Sequence, residues 1–246
     1  YDLSLTVIEK HNIFIMLPEM NNHLSSMLQK EWFEIEFWRQ HNAVIGQSVG
    51  RTVTWFIKHQ ESEWVLRHYH RGGMVAKIMR DNYWFSTLEK TRCFQELILL
   101  ELMYLQGLPV PKPIAAHVRK HGFFYKADLI IEKIPESEDL VQRLCREKMT
   151  ESNWLSLGSM IAKFHQTGIY HADLNAHNIL LDSDDKFWLI DFDKCEQRPR
   201  LDEDWPKKNL SRLYRSFCKE KALHQPFHFN EQHWQWFNSG YQSFSL

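Results

Sequence analysis

Short apolar runs with β-branched and aromatic residues fill the first half of the chain. The segments AVIGQSVGRTVTWFIKH and EWVLRHYH, with glycines at a turn, predict three consecutive antiparallel strands. LSLTVIEKHNIFIML predicts two earlier short strands, and ADLIIEKI predicts a later one. Between the first strands and the β-rich block, NNHLSSMLQKEWFEIEFW has the pattern of a capped amphipathic helix.

Helical spacing of apolar residues follows this β-rich block. Residues 87–105 repeat apolar side chains at Phe94, Leu97, Ile98, Leu102 and Leu105, and Gly107 stands where a helix would stop. The second half is mostly helical, with SNWLSLGSMIAKFHQTG as its clearest helix and NILL and FWLI as short strands. The sequence therefore predicts an α+β fold, with a β-rich lobe at 1–132 and a larger helical lobe at 133–246.

Composition and charge narrow the classes of function. The chain has 246 residues, 43% of them hydrophobic, and a formal net charge of -1, so no global field favours nucleic acid. Four scattered cysteines without a CxxC pair indicate reduced thiols in a cytosolic protein. No apolar run approaches the roughly 18 residues of a membrane span, and no signal-peptide pattern opens the chain. A soluble or peripheral protein is expected.

The densest polar chemistry lies in GIYHADLNAHNILLDSDDKFWLIDFDK, residues 168–194. Its pattern H-x-D-L-x-x-x-N, followed by a hairpin and D-F-D, matches the kinase catalytic loop and its metal-binding Asp. Asp173 is predicted to be the catalytic base, and Asn178 and Asp191 are predicted to hold Mg²⁺ on the phosphates of ATP. The alternative is that these residues only cap strands and turns. His171 is predicted to orient the loop, and a zinc site with His165 and His177 is disfavoured by their spacing.

A kinase reading assigns nucleotide-binding residues to the first half. VIGQSVGRTV is a degraded glycine-rich loop between two strands, with Ser48 in place of the second glycine. Arg67 occupies the position of the kinase lysine, and its helix partner is either Glu96 or Glu101, because the helical phase leaves both open. The predicted nucleotide-binding residues are Gly46, Ser48, Gly50, Arg51, Arg67, Glu96 and Glu132.

Longer strings carry a family resemblance. LRHYHRGG, EKTRCFQE, GLPVPKPIAA, HADLNAHNILL and LIDFDKC resemble the bacterial 3-deoxy-D-manno-octulosonic acid (Kdo) kinases of lipopolysaccharide assembly, from about Gly46 to Phe217. The resemblance implies a two-lobed protein-kinase-like fold. It also implies that ATP phosphorylates the 4-hydroxyl of Kdo on a lipid A precursor, at the cytoplasmic face of the inner membrane.

Three departures from kinase and family patterns are informative. The chain has Gly50-Arg51-Thr52 where the family usually carries Gly-Arg-Gly, which bears on how the loop covers the phosphates. Ala172 replaces the arginine of H-R-D, Asp193 replaces the glycine of D-F-G, and no A-P-E segment follows. These changes argue against protein-kinase-style switching and favour a small-molecule kinase.

Two basic sets suggest where an anionic acceptor binds. Residues 67–80 contain four Lys or Arg and no acid, which fits a lipid-linked acceptor in an anionic membrane face as well as a solvated loop. A second set around residues 194–215 includes Arg212 and Arg215, most of which are expected to face solvent. Peripheral membrane contact is predicted, and no oligomeric state is.

Two other classes of function remain as alternatives. One is a different atypical kinase, of the aminoglycoside type or associated with transfer RNA. The other is a pseudokinase scaffold, suggested by Arg67 and Asp193 but disfavoured by the intact Asp173, Asn178 and Asp191.

Overall fold

A computed structural model describes residues 6–9, 11–16, 28–49, 53–69, 81–199 and 204–244. The chain divides into two compact units. The N-terminal unit contains residues 1–101 and 112–133, and the C-terminal unit contains residues 102–111 and 134–246. Each unit has its own core, and each contains some of the predicted site residues.

The N-terminal unit is built on strands, with helices at two points along the chain. Its strands are β1 (Thr6–Glu9), β2 (Asn12–Ile15), β3 (Val44–Val49), β4 (Val53–His59), β5 (Ser62–His68), β6 (Tyr83–Trp84), β7 (Pro113–His121) and β8 (Phe124–Glu132). A 3₁₀ turn at Lys30–Phe33 leads into the short helix α1 (Ile35–Gln40), and a second at Leu88–Lys90 precedes the long helix α2 (Arg92–Leu105).

These strands form one antiparallel sheet within the part of the chain that the structure describes. Its order is β1-β2-β7-β8-β5-β4-β3, and β6 pairs with the start of β8. The three consecutive strands predicted around the glycine-rich segment are confirmed as β3, β4 and β5. Strand β7 was not predicted, because Pro113 and the polar residues at 117–121 mask its extended pattern, although Ile114 to Val118 are buried.

Aromatic side chains fill the core of the N-terminal unit. Trp32 and Trp38 lie against Trp64 of β5, with ring centroids 5.2 and 6.1 Å apart in edge-to-face arrangements. Ile57 and Ile130 complete this layer from neighbouring strands and are fully buried. This core holds β5, the strand that carries Arg67, in place.

The C-terminal unit is helical around short strands. Its helices are α3 (Leu140–Arg146), α4 (Glu151–Gln166), α5 (Asp204–Leu223) and α6 (Glu231–Phe244). Its strands are β9 (Glu138–Asp139), β10 (Ile169–Tyr170), β11 (Ile179–Leu181), β12 (Phe187–Leu189) and β13 (Glu196–Gln197). The predicted helix ending before Gly168 is confirmed as α4, and Gly168 has a φ of +78°.

Helices α4 and α6 cross at two glycines. A Cβ atom on Gly158 would lie 2.0 Å from the carbonyl oxygen of Phe237, and one on Gly240 would lie 2.0 Å from that of Leu155. Neither position therefore has room for a side chain. The antiparallel N-terminal sheet and the helical C-terminal part confirm the predicted α+β class.

Candidate active site

The predicted catalytic loop is held by an antiparallel hairpin in the C-terminal unit. Strands β11 and β12 pair Ile179 with Leu189 and Leu181 with Phe187, and these four apolar side chains are buried. Ahead of β11, a single 3₁₀ turn at Ala176–Asn178 is capped by Asn175, whose side-chain oxygen accepts from the N–H of His177. The hairpin thereby fixes Asn178, directly before β11, and Asp191, two residues after β12, which are the predicted ligands of Mg²⁺.

His171 ties the loop to the strand that follows the hairpin. Its Nε2 lies 3.0 Å from the carbonyl oxygen of Ile190, and its Nδ1 accepts from the N–H of Asp173 at 3.2 Å. These partners require the neutral ring with the proton on Nε2. Burial lowers the pKa of His171 and keeps this form, despite the opposing effect of the Ile190 carbonyl and the nearby Asp191. The contacts match the orienting role predicted for this residue.

The backbone of Asp173 is fixed by two amide side chains. Asn178 and Asn175 both donate through Nδ2 to the carbonyl oxygen of Asp173, each at 2.9 Å. The Asp173 carboxylate is 53% exposed, so it is open to an incoming hydroxyl. With its Nδ2 committed in this way, Asn178 keeps its Oδ1 as an oxygen suited to a cation.

Asp191 stands at the same end of the hairpin as Asn178. The N–H of Ile190 donates to the carbonyl oxygen of Asn178 at 3.0 Å, and Asp191 is the next residue. Its φ of +64° lies in the left-handed region, which is uncommon for non-glycine residues although Asp enters it more readily than most. The neighbouring Phe192 is 1% exposed and anchors this part of the chain in the core.

Two oxygen ligands suit a magnesium ion that is shared with phosphates. Mg²⁺ takes one or two carboxylate or amide ligands from the protein and completes its shell with phosphate oxygens and water. Asn178 and Asp191 fit that pattern. Among the described residues no group of three or more His, Cys, Asp and Glu side chains forms a self-sufficient metal site.

Arg212 contacts the predicted base. Its Nη1 donates to Oδ1 of Asp173 at 2.7 Å, from helix α5 of the same unit. The sequence pattern placed Arg212 off the apolar face of the helix, facing either the cleft or solvent; its side chain is 46% exposed and at the same time contacts Asp173. Spacing along one helix gives no information on what approaches its polar face, so the sequence carried no signal for the contact.

The N-terminal unit pairs Arg67 with Glu96. Arg67 Nη2 donates to Oε2 of Glu96 in a short contact, and the hydroxyl of Tyr69 donates to the same oxygen at 2.5 Å. Glu96 is 3% exposed, so it is a buried carboxylate with a cation and a hydroxyl on it. Burial and the Glu96 charge raise the pKa of Tyr69 well above its usual range, which keeps the hydroxyl protonated as a donor. Of the two carboxylates that the sequence left open, Glu96 is the one that meets Arg67.

The glycine-rich segment differs from its predicted position. Gly46 and Ser48 lie within β3, where they pair with Phe56 and Thr54, and not in the turn after it. A β-bulge lies next to Gly46, and a Cβ there would come within 3.3 Å of the Phe56 ring, so the missing side chain serves the pairing of two strands. Their nucleotide-binding role stays a prediction.

Three further nucleotide-binding positions were predicted, of which the structure describes one. Glu132 is the last residue of β8, half-buried, and its N–H donates to the carbonyl oxygen of Lys112 at 2.8 Å. Gly50 and Arg51 lie outside the described residues, and so does the larger part of the basic segment, residues 70–80.

Comparison with known proteins identifies the class. A sequence profile described as the lipopolysaccharide kinase (Kdo/WaaP) family matches residues 35–241. A 3-deoxy-D-manno-octulosonic acid kinase of Mannheimia succiniciproducens is 46% identical, over 87% of this chain and 91% of its own length. Proteins of the same name from Photobacterium profundum and Pasteurella multocida are 44% and 45% identical, over 87% and 86% of this chain and 89% and 90% of theirs.

The chain belongs to the lipopolysaccharide kinase (Kdo/WaaP) family. It is therefore a kinase of lipopolysaccharide biosynthesis, a phosphotransferase that uses ATP. Within the described part of the chain, no helix has the length and apolar character needed to cross a bilayer.

Proposed function

We propose that this protein phosphorylates the 4-hydroxyl of a Kdo residue linked to a lipid A precursor, giving Kdo 4-phosphate and ADP. The support is the 44 to 46% identity to proteins named Kdo kinases over most of both chains. A two-lobed protein-kinase-like fold is part of the proposal, with the β-rich and helical units as its lobes.

Asp173 is the proposed base. Its exposed carboxylate is available to accept the proton of the acceptor hydroxyl as that oxygen bonds to the γ-phosphorus. The bond from the γ-phosphorus to the bridging oxygen breaks at the same centre, and the leaving group is ADP. Asn175 and Asn178 orient the base by donating to its carbonyl oxygen. Arg212 orients it by donating to its carboxylate.

Asn178 and Asp191 are the proposed ligands of Mg²⁺. When bound, the ion neutralises charge on the ATP phosphates and orients them. The backbone hydrogen bond from Ile190 to Asn178, with Asp191 the next residue, supports this pairing of ligands.

Arg67 is the proposed cation for the nucleotide phosphates, with Glu96 as its anchor. A guanidinium binds phosphate oxygens through two parallel bonds, where a lysine offers a point charge. The hydrogen bond from Tyr69 keeps Glu96 in place for that task. Gly46, Ser48, Gly50 and Arg51 are proposed to cover the phosphates, and Glu132 to contact the nucleotide.

The acceptor is a membrane lipid, so we include peripheral contact with the anionic cytoplasmic face of the bacterial inner membrane. A bilayer surface rich in anionic lipids attracts basic residues and admits aromatic ones at the headgroup level.

The structural observation behind the catalytic part of the proposal is the Asp173 loop, in which the side chain of Asn178, a predicted metal ligand, donates to the carbonyl oxygen of Asp173. The test combines the protein with labelled ATP, Mg²⁺ and a Kdo-bearing lipid A precursor in detergent. We expect label on the 4-hydroxyl of Kdo, and a fall of about 10² to 10⁴ in kcat for Asp173→Asn.

Two controls separate the possible failures. An acceptor lacking Kdo should receive no label, and ATP binding should survive in Asp173→Asn because that change leaves Arg67 and Glu96 in place. Label on neither acceptor would overturn the Kdo assignment. Equal turnover by Asp173→Asn would overturn the role of the base alone.

A further inference from the structure

An exposed aromatic cluster stands at the tip of the β7–β8 hairpin. Trp84 is 64% exposed and Phe123 is 73% exposed, and their rings stack with centroids 5.7 Å apart and planes 6° apart. Phe124 meets the same indole edge-on at 5.7 Å. We refer to Trp84, Phe85, Phe123, Phe124 and Lys120 as the aromatic tip.

Strand pairing and backbone hydrogen bonds hold the aromatic tip, so its exposed rings are carried by regular structure. Gly122, with a φ of +57°, makes the tight turn between the two strands. Strand β6 pairs Trp84 with Phe124, and the N–H of Phe85 donates to the carbonyl oxygen of Phe123 at 2.9 Å. The rings of Trp84 and Phe123 are therefore held side by side by the pairing of β6 with the β7–β8 hairpin.

The aromatic tip carries positive charge and no acid of its own. Residues 113–127 contain Arg119, Lys120 and Lys126 but neither Asp nor Glu. Arg119 and Lys126 are each engaged by a carboxylate from elsewhere in the unit, whereas Lys120 lies over the Phe85 ring, its Nζ 4.1 Å from the centroid. Lys120 thus places a positive charge within the aromatic tip, where its side chain is half-buried.

Exposed tryptophan and phenylalanine beside a lysine match the chemistry of the bilayer interface. The indole of a tryptophan settles at the headgroup level, phenylalanine adds apolar area that can be buried there, and a nearby lysine pairs with anionic lipid phosphates. Stable peripheral binding takes two such contributions, one apolar and one electrostatic. A protein interface would also accept the rings, but lysine is depleted from such interfaces, so Lys120 favours the lipid surface.

We propose that the aromatic tip inserts into the headgroup region of an anionic membrane and so brings the enzyme to its lipid-linked acceptor. The proposal rests on the proposed function for its choice of a membrane and adds the surface that makes the contact. None of the tip residues has an assigned role in phosphate transfer.

The test measures co-sedimentation of the full chain with vesicles, without ATP or acceptor. Vesicles of phosphatidylcholine with phosphatidylglycerol are compared with vesicles of phosphatidylcholine alone. We expect the native chain to bind the anionic vesicles, and Trp84→Ala/Phe123→Ala to bind them about tenfold more weakly. Leu223→Ala is the matched control, because Leu223 is also 64% exposed but lies at the end of α5 in the other unit.

Each outcome decides the proposal. Circular dichroism and turnover on detergent-dispersed acceptor should be unchanged in the double variant, which separates membrane binding from folding and from catalysis. If the double variant misfolds, Phe123→Ser at the turn replaces it. Equal vesicle binding by native and variant chains, or no binding by the native chain, would overturn the role of the tip, and neither result bears on the Kdo assignment.

Discussion

The carboxylate of Glu96 is buried and accepts a hydrogen bond from the guanidinium of Arg67. Removing a cation from a buried ion pair leaves a charge in a medium that cannot solvate it, which is far more costly than losing an exposed pair. We expect Arg67→Ala to lower the free energy of unfolding by about 3 kcal/mol, with Tyr69 still donating to Glu96. Urea denaturation followed by tryptophan fluorescence measures the change.

A matched control is available in the same unit. Arg119 pairs with Glu34 at the surface, where both side chains are more than 40% exposed, so Arg119→Ala should cost less than about 1 kcal/mol. Similar losses of unfolding free energy in the two variants would mean that the Arg67–Glu96 pair stabilises the protein no more than a surface pair does.

Arg212 is the residue whose role the structure changes most. Because its Nη1 fixes one oxygen of Asp173, we expect Arg212→Ala to lower kcat about tenfold while leaving ATP affinity unchanged. Steady-state phosphate transfer and ATP titration measure the two quantities. Arg215→Ala removes the same charge from an exposed position of the same helix, and an equal fall in kcat for that variant would contradict a specific contact.

At the scale of elements, the crossing of α4 and α6 depends on glycine. Alanine favours a helix over glycine by about 1 kcal/mol, yet a Cβ at Gly158 would lie 2.0 Å from a backbone oxygen of α6. We therefore expect Gly158→Ala to destabilise the protein by more than about 2 kcal/mol, because the helices must separate. Thermal unfolding measures the loss.

Ser156→Ala serves as the control for this crossing. Ser156 is exposed on α4, so a gain in helix propensity of about 0.5 kcal/mol should appear there without a clash. A Gly158→Ala variant as stable as Ser156→Ala would show that the two helices can move apart at little cost.

Elements differ in how far the sequence predicts them. The β11–β12 hairpin was predictable because its apolar runs are short and bounded by turn residues on both sides. Strand β7 was missed because its proline and basic residues hide an extended segment that tertiary pairing creates. The choice between Glu96 and Glu101 depends on a rotation about the helix axis that periodicity alone leaves undetermined, and the Arg212–Asp173 contact joins residues that are distant in sequence.

The whole molecule should lose stability in mild acid because it buries neutral histidine. Burial lowers the pKa of His165 to about 4 from an ordinary value of 6.5, despite a favourable hydrogen bond to Asn209. Since the unfolded chain binds a proton in this range and the folded chain does not, stability rises with pH between about 4 and 6.5. The full difference is about 3 kcal/mol.

The variant His165→Gln isolates this contribution. Glutamine does not titrate and keeps a polar group near the hydroxyl of Tyr241, with which His165 Nδ1 bonds at 2.8 Å. We expect a flatter curve of unfolding free energy against pH for the variant between pH 4 and 6.5. Parallel curves for native and variant chains would place the acid sensitivity elsewhere.

The pairing of β2 with β7 bears on how the protein is trimmed for study. The family profile begins at residue 35, but β2 lies before it and pairs with β7 from Ile15–Ala116 to Asn12–Arg119. Phe14 stacks on the buried His117 at 4.7 Å. A fragment cut at the family boundary would keep every predicted catalytic residue and yet bare the edge of β7, where strands of neighbouring molecules can add and aggregate.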